Sequence, residues 1–179
     1  MNDAGGRAEP VTQVAAPAKL NLALLVGPVR PDGFHEIASV MTPVSLADLV
    51  TVERTPGAGP DVVCDVAPGA DNLAAKMVRE LEARLDRPFE VRVTIEKRIP
   101  AGAGLGGGSS DAAATVLALE RLYGLGLPPR MRHEAAAAVG SDEMRIAEVT
   151  TTAAPEGGDE AIAVTLGVAT GADASAPMK

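Results

Sequence analysis

Between Pro100 and Gly124 the chain reads "PAGAGLGGGSSDAAATVLALERLYG", and the nine residues from Gly102 to Ser110 include five glycines and two serines. Glycine raises the entropy lost on ordering by roughly 0.5–1 kcal/mol relative to alanine, so such a cluster serves a backbone shape or a close approach that side chains would forbid. A strand, this loop and a helix start in succession would aim several N–H groups at one cluster of oxygens, and the helix macrodipole adds about half a positive charge. The chemistry indicated is capture of a phosphate. No Gly-Lys-Ser/Thr ends the loop, which excludes a Walker A motif. Gly102, Gly104 and Gly107 match the G-x-G-x-x-G dinucleotide fingerprint, yet the acidic residue about 20 positions on, Glu120, lies inside the helical run "LALERLYG". Three readings stay open here: nucleotide-phosphate binding of a non-Rossmann type, a Rossmann site, and a structural turn, which by itself needs fewer glycines.

A second group sits upstream. In "VAAPAKLNLALLV" Leu20, Leu22 and Leu24 alternate with Lys19, Asn21 and Ala23, the period of a half-buried strand, so Lys19 and Asn21 share one face. Lys19 is then either a solvated strand lysine or a cation aimed at a ligand. A Pro-Asp-Gly turn signal places Phe34 and His35 just past a loop, where His35 is an exposed histidine or a hydrogen-bonding group. Metal ligation by His35 lacks partners, because His133 belongs to a separate helical run. The single cysteine, Cys64 in "DVVCDV", excludes an internal disulfide and a multi-cysteine zinc site and reads as a buried thiol. Asp142, in "GSD", reads by itself as a capping residue at a helix exit.

The elements that position these groups follow an α+β order. Strands are expected over residues 14–26, 48–55 and 61–66. A helix over 71–85 carries the stripe Leu73, Met77, Leu81 and Leu85, with Asp71 or Asn72 as its N-cap. Val91, Val93 and Ile95 mark a strand stopped by Pro100. Beyond the glycine loop, Ser109, Ser110 and Asp111 supply capping chemistry for a helix that ends at Gly124, and "MRHEAAAAVGSD" forms another stopped by Gly140. A polar arm at 1–13, a domain at 14–142 and a divergent tail at 143–179 complete the expected organisation, with a short strand possible in the tail at "AIAVTLGV". A net charge of −8 argues against a nucleic-acid surface. No basic start precedes an apolar stretch, and no run of roughly 18 apolar residues occurs, so a soluble cytoplasmic protein without membrane partners is expected.

Taken together, "PAGAGLGGGSSDAAA", "APAKLNLALLV", "RPDGFHEI" and "DNL" closely resemble, in order and spacing, the motifs of the GHMP kinases, from about Val14 to Asp142. The resemblance implies the family's two-layer α+β N-terminal domain (ribosomal protein S5 domain 2-like), with the C-terminal lobe largely missing. It also implies ATP-dependent phosphorylation of a hydroxyl on a small-molecule substrate, a cytidine diphosphate methylerythritol of the non-mevalonate isoprenoid route, with Mg2+ carried by the nucleotide. ATP phosphates would lie against Pro100, Ala101, Gly102, Ala103, Gly104, Leu105, Gly106, Gly107, Gly108, Ser109 and Ser110, with Asn72 and Lys97 near the adenine. Lys19 and Asp142 match the family's catalytic pair, Asp142 as base for the hydroxyl and Lys19 as the cation that stabilises developing charge. Phe34 and His35 match the cytidine-binding positions, and Asn21 would hydrogen-bond substrate. Where the family continues with an apolar segment after the aspartate, Glu143 and Met144 stand here. A truncated, catalytically inactive nucleotide-binding fragment is therefore the alternative expectation.

Overall fold

The computed structural model describes residues 11–29, 35–67 and 69–139, together with two short paired strands at 148–150 and 163–165. Strand β1 (Val11–Val29) pairs antiparallel with β2 (His35–Arg54) as a long ribbon running from Val11 opposite Glu53 to Val29 opposite His35. Strand β4 (Val91–Glu96) pairs antiparallel with β2, and β3 (Asp61–Cys64) lies parallel to β4, giving the order β1-β2-β4-β3. Helix α1 (Leu73–Leu85) connects β3 to β4; α2 (Gly107–Tyr123) and α3 (Pro129–Val139) follow. Strands β5 (Glu148–Thr150) and β6 (Ala163–Thr165) form a separate antiparallel pair, and β6 falls within the expected tail strand.

Alternation builds the sheet side of the core: Val14 and Ala16 of β1, Val50 and Val52 of β2, and Val91, Val93 and Ile95 of β4 all point inward. The helical side comes from Met77, Val78 and Leu81 of α1 and Val116 and Leu119 of α2. Alanines at 112, 113, 114 and 118 keep α2 slim enough to sit buried between the sheet and α1. Gly108 continues that slimness, since a Cβ there would lie 3.3 Å from Leu73 Cδ1. Asn72 caps α1 as expected: its Oδ1 accepts from the Ala74 amide at 2.8 Å while its Nδ2 donates to the Ala67 carbonyl at 2.8 Å. Gly124 closes α2 with φ 63°, its N–H bonded to the Glu120 carbonyl.

Three expectations are corrected. Residues 11–13 are not part of an arm: they pair with residues 51–53, and Val11 and Thr12 are β-branched residues suited to a strand. Leu20, Leu22 and Leu24 are not half-buried but 46%, 63% and 49% exposed. They share the parity of Val14, Ala16 and Ala18, yet register shifts after Pro17 and Asn21 carry the ribbon past the helices that cover its first part. Finally, α2 begins at Gly107 with Gly106 as its N-cap, ahead of Ser109, Ser110 and Asp111. The side chains of Ser110 and Asp111 are used elsewhere, as described next.

Candidate nucleotide site

Two bonds dock the glycine loop on β1. The Lys19 amide donates to the Leu105 carbonyl at 2.9 Å, and the Ser110 hydroxyl donates to the Pro17 carbonyl at 2.8 Å. Within the loop, Gly102, Gly104 and Gly106 hold φ of 72°, 72° and 71°, a left-handed backbone that side chains rarely adopt. Gly106 gives α2 no side-chain cap. Among the described residues, no amide from Gly104 to Ser109 donates to a carbonyl or side chain; the next donor on the α2 side is Ser110, to Gly106 at 3.0 Å. Amides without partners at a helix N-terminus are a standing demand for acceptor oxygens. They open on a cleft of about 250 Å³ lined by the whole of residues 99–108 together with Cys64, Val66, Asn72, Leu73, Lys97 and Asp111. Cys64 is thus both a core thiol and part of the cleft wall.

Behind the loop lies a buried ionic cluster. Lys97 Nζ bonds to Asp48 and, at 2.7 Å, to Asp111 Oδ2. Asp48 Oδ1 also accepts the amides of Arg98 and Ile99. Asp48 and Asp111 are only 1% and 3% exposed. Burial alone would raise Asp48, but the Ile99 amide, Lys97 and the Arg98 amide outweigh it and hold the carboxyl below its usual value. Burial would likewise lower Lys97, and its bonds to Asp111 and Asp48 reverse that, keeping the ammonium charged. For Asp111 burial wins over Lys97: its carboxyl is pushed up to about 6.

A carboxyl raised in this way stabilises the fold only when protonated, so its contribution is complete below about pH 4 and lost as pH rises through about 6. The groups facing Asp111 are Lys97, which stays charged throughout, and Asp48, which stays ionised above its lowered value. Between pH 7 and pH 4.5 the wild-type chain should therefore gain stability relative to Asp111→Asn, by on the order of 2 kcal/mol in urea unfolding. Parallel pH profiles for the two proteins would show that Asp111 carries no such burden.

The expected site residues divide by location. All of residues 100–108, Asn72 and Lys97 line the cleft, and Ser110 anchors the loop. Lys97 reaches the cleft with its ammonium committed to two carboxylates. Lys19 and Asn21 share a face as expected, Lys19 Nζ donating to Asn21 Oδ1 at 3.1 Å, but neither side chain lines the cleft. His35 is exposed at the far end of the ribbon, with Nδ1 3.0 Å from the Gly27 carbonyl. Ten residues of β1 separate its pairing partner Val29 from Lys19, roughly 30 Å of extended chain. Phe34 and Asp142 lie outside the described residues. Asp48 and Asp111 as a pair around Lys97 were not anticipated. The available signal was parity: Asp48 stands in line with Val50 and Val52, so it must point into the core and needs a charged partner there.

The family model described as "GHMP kinases N terminal domain" matches residues 72–168. A 4-diphosphocytidyl-2-C-methyl-D-erythritol kinase of Anaeromyxobacter sp. (strain Fw109-5) is 49% identical over 118 residues, covering 63% of this chain and 38% of that protein. The enzyme of the same name from Acaryochloris marina is 43% identical over 130 residues, 71% of this chain and 42% of its own length. The chain thus spans about two fifths of those relatives. A crystal structure of 4-(cytidine 5'-diphospho)-2C-methyl-D-erythritol kinase superposes with a TM-score of 0.63 at 40% identity, over 74% of this chain and 47% of that one. Homoserine kinase from Cytophaga hutchinsonii, at 17% identity and a TM-score of 0.54, shares the fold.

Proposed function

Because the chain belongs to the GHMP kinase family, matched over residues 72–168, we propose that it is the nucleotide-binding part of a kinase that phosphorylates a hydroxyl of 4-diphosphocytidyl-2-C-methyl-D-erythritol with ATP. The observation that carries this reading is the row of uncommitted amides from Gly104 to Ser109 at the start of α2, which has no side-chain cap. These donors suit the β- and γ-phosphates, and the apolar wall of Val66 and Leu73 beside Asn72 suits a nucleoside. Among the described residues no group of three His, Cys, Asp or Glu side chains stands together, so Mg2+ would come held by phosphate oxygens, supplying neutralising charge to the transferred group.

Phosphoryl transfer asks the protein to align a hydroxyl with the γ-phosphorus, remove its proton and neutralise charge. The loop fixes one end of that line. Lys19 is tied to the same loop through its own amide and has its ammonium held by Asn21, and in this reading that ammonium stabilises the charge that develops on the reacting oxygens. In this reading Asp142 takes the hydroxyl proton, and His35 with Phe34 receives the cytidine. No helix among the described residues is long and apolar enough to cross a membrane, and the reading places the activity in the cytoplasm.

The test is a coupled assay of ADP release with the cytidine substrate. Lys19→Ala should lower turnover by 100-fold or more while affinity for a non-hydrolysable ATP analogue changes less than threefold. Equal loss of both would place Lys19 in nucleotide binding instead. The second reading, a nucleotide-binding chain without turnover, is favoured by a cleft that none of Lys19, Asn21 and His35 lines. It predicts thermal stabilisation by ATP with no product.

A further inference from the structure

The glycine loop makes few bonds of its own, so its shape must be imposed from its two ends. The entry limb, residues 97–99, leaves β4; the exit is the start of α2, from Gly107 to Asp111. Lys97 on the entry and Asp111 on the exit are bonded directly, across fourteen positions of sequence. Asp48, from the neighbouring strand β2, gathers three donors from the entry limb: Lys97 Nζ and the amides of Arg98 and Ile99. The crossing is close. A Cβ on Gly107 would lie 3.1 Å from Lys97 Nζ and 3.1 Å from Ile99 Cγ2. Gly107 does not have the positive φ of Gly106, so its lack of a side chain serves this passage of the lysine beneath the helix start, not a backbone turn.

We propose that Asp48, Lys97 and Asp111 are positioning residues that lock both ends of the phosphate loop, so that its amides face the cleft before any nucleotide arrives. Lys97 then acts on the phosphates through the loop and is not itself a ligand. The cost of ordering so many glycines is met in folding rather than at binding, which is how a preorganised site gains affinity. The energetics favour a lock over a free cation: a lysine with two buried carboxylates cannot leave them without exposing uncompensated charge in the interior. Among the described residues Asp111 Oδ1 has no hydrogen-bond donor, and two buried carboxylates around one ammonium give the cluster more negative charge than Lys97 can satisfy.

This rests on the nucleotide reading for its purpose, but not for its test. Backbone 15N order parameters of the apo chain should be about 0.85 for Gly104 to Gly108 in the wild type and below about 0.6 in Lys97→Met, with β2 and β4 unchanged. Affinity for a non-hydrolysable ATP analogue should fall at least tenfold in the same variant. Asp111→Asn, which keeps an acceptor for Lys97, should give an intermediate loop and an intermediate loss, and it serves alone if Lys97→Met does not fold. Order parameters that stay high in a variant whose affinity collapses would make Lys97 a direct ligand and overturn the proposal, as would a loop mobile in the wild type. If the wild type binds no ATP analogue, the nucleotide reading fails while the order parameters still judge the lock.

Discussion

Gly106→Val is expected to abolish measurable binding of a non-hydrolysable ATP analogue, a loss of 100-fold or more by titration calorimetry, while the far-ultraviolet circular dichroism of the chain is preserved. Gly106 is the N-cap of α2 at φ 71°, and a β-branched residue is an outlier in that region. The backbone would have to rotate, carrying with it the amides of residues 107–109 that aim at the cleft. Binding would suffer far more than folding, since strain of about 1–2 kcal/mol is tolerable to a domain but a misdirected row of donors is not tolerable to a phosphate. Gly126→Val is the matched control: that glycine has open space around its missing side chain and no positive φ, so affinity should be unchanged.

Phe89→Ala should be the most destabilising single change in the described core, costing about 3–5 kcal/mol. Phe89 is fully buried, its ring centroid is 5.0 Å from that of Tyr123, and Arg87 lies over it at 5.8 Å. Its amide also donates to Glu82 Oε1 at 2.8 Å, tying α1 to the approach of β4. Of the three aromatic residues in the whole chain, Tyr123 is the ring that borders the space Phe89 fills. Domains of this size are stable by only about 5–15 kcal/mol, so the urea midpoint should drop by about a fifth or more, with the slope of the transition unchanged. A shift below about 1 kcal/mol would mean that Tyr123 and Arg87 collapse into the gap.

The order of elements was readable because periodicity is local: Val91, Val93 and Ile95 alternate, and Leu73, Met77 and Leu81 recur on one helical face, whatever surrounds them. The glycine loop is legible as a candidate anion site for the same reason, since few other uses justify so many glycines. What could not be read depends on distant partners. Nothing in "LNLALLV" says that the helices end before the ribbon does, so the leucines were assigned to a buried face. The start of α2 was misplaced because Ser110 and Asp111 have the right chemistry for capping, and only the folded chain reveals their claimants, the Pro17 carbonyl and Lys97. The two carboxylates that hold Lys97 are not legible either, because they come from 49 residues before it and 14 after it.

The central claim is that the loop's free amides receive a nucleotide's phosphates, and a crystal structure of the chain with a non-hydrolysable ATP analogue tests it most directly. Phosphate oxygens within about 3 Å of amides between Gly104 and Ser109, with little movement of the loop, are the predicted result. Phosphates seated elsewhere, against a loop whose amides stay unpaired, would contradict it.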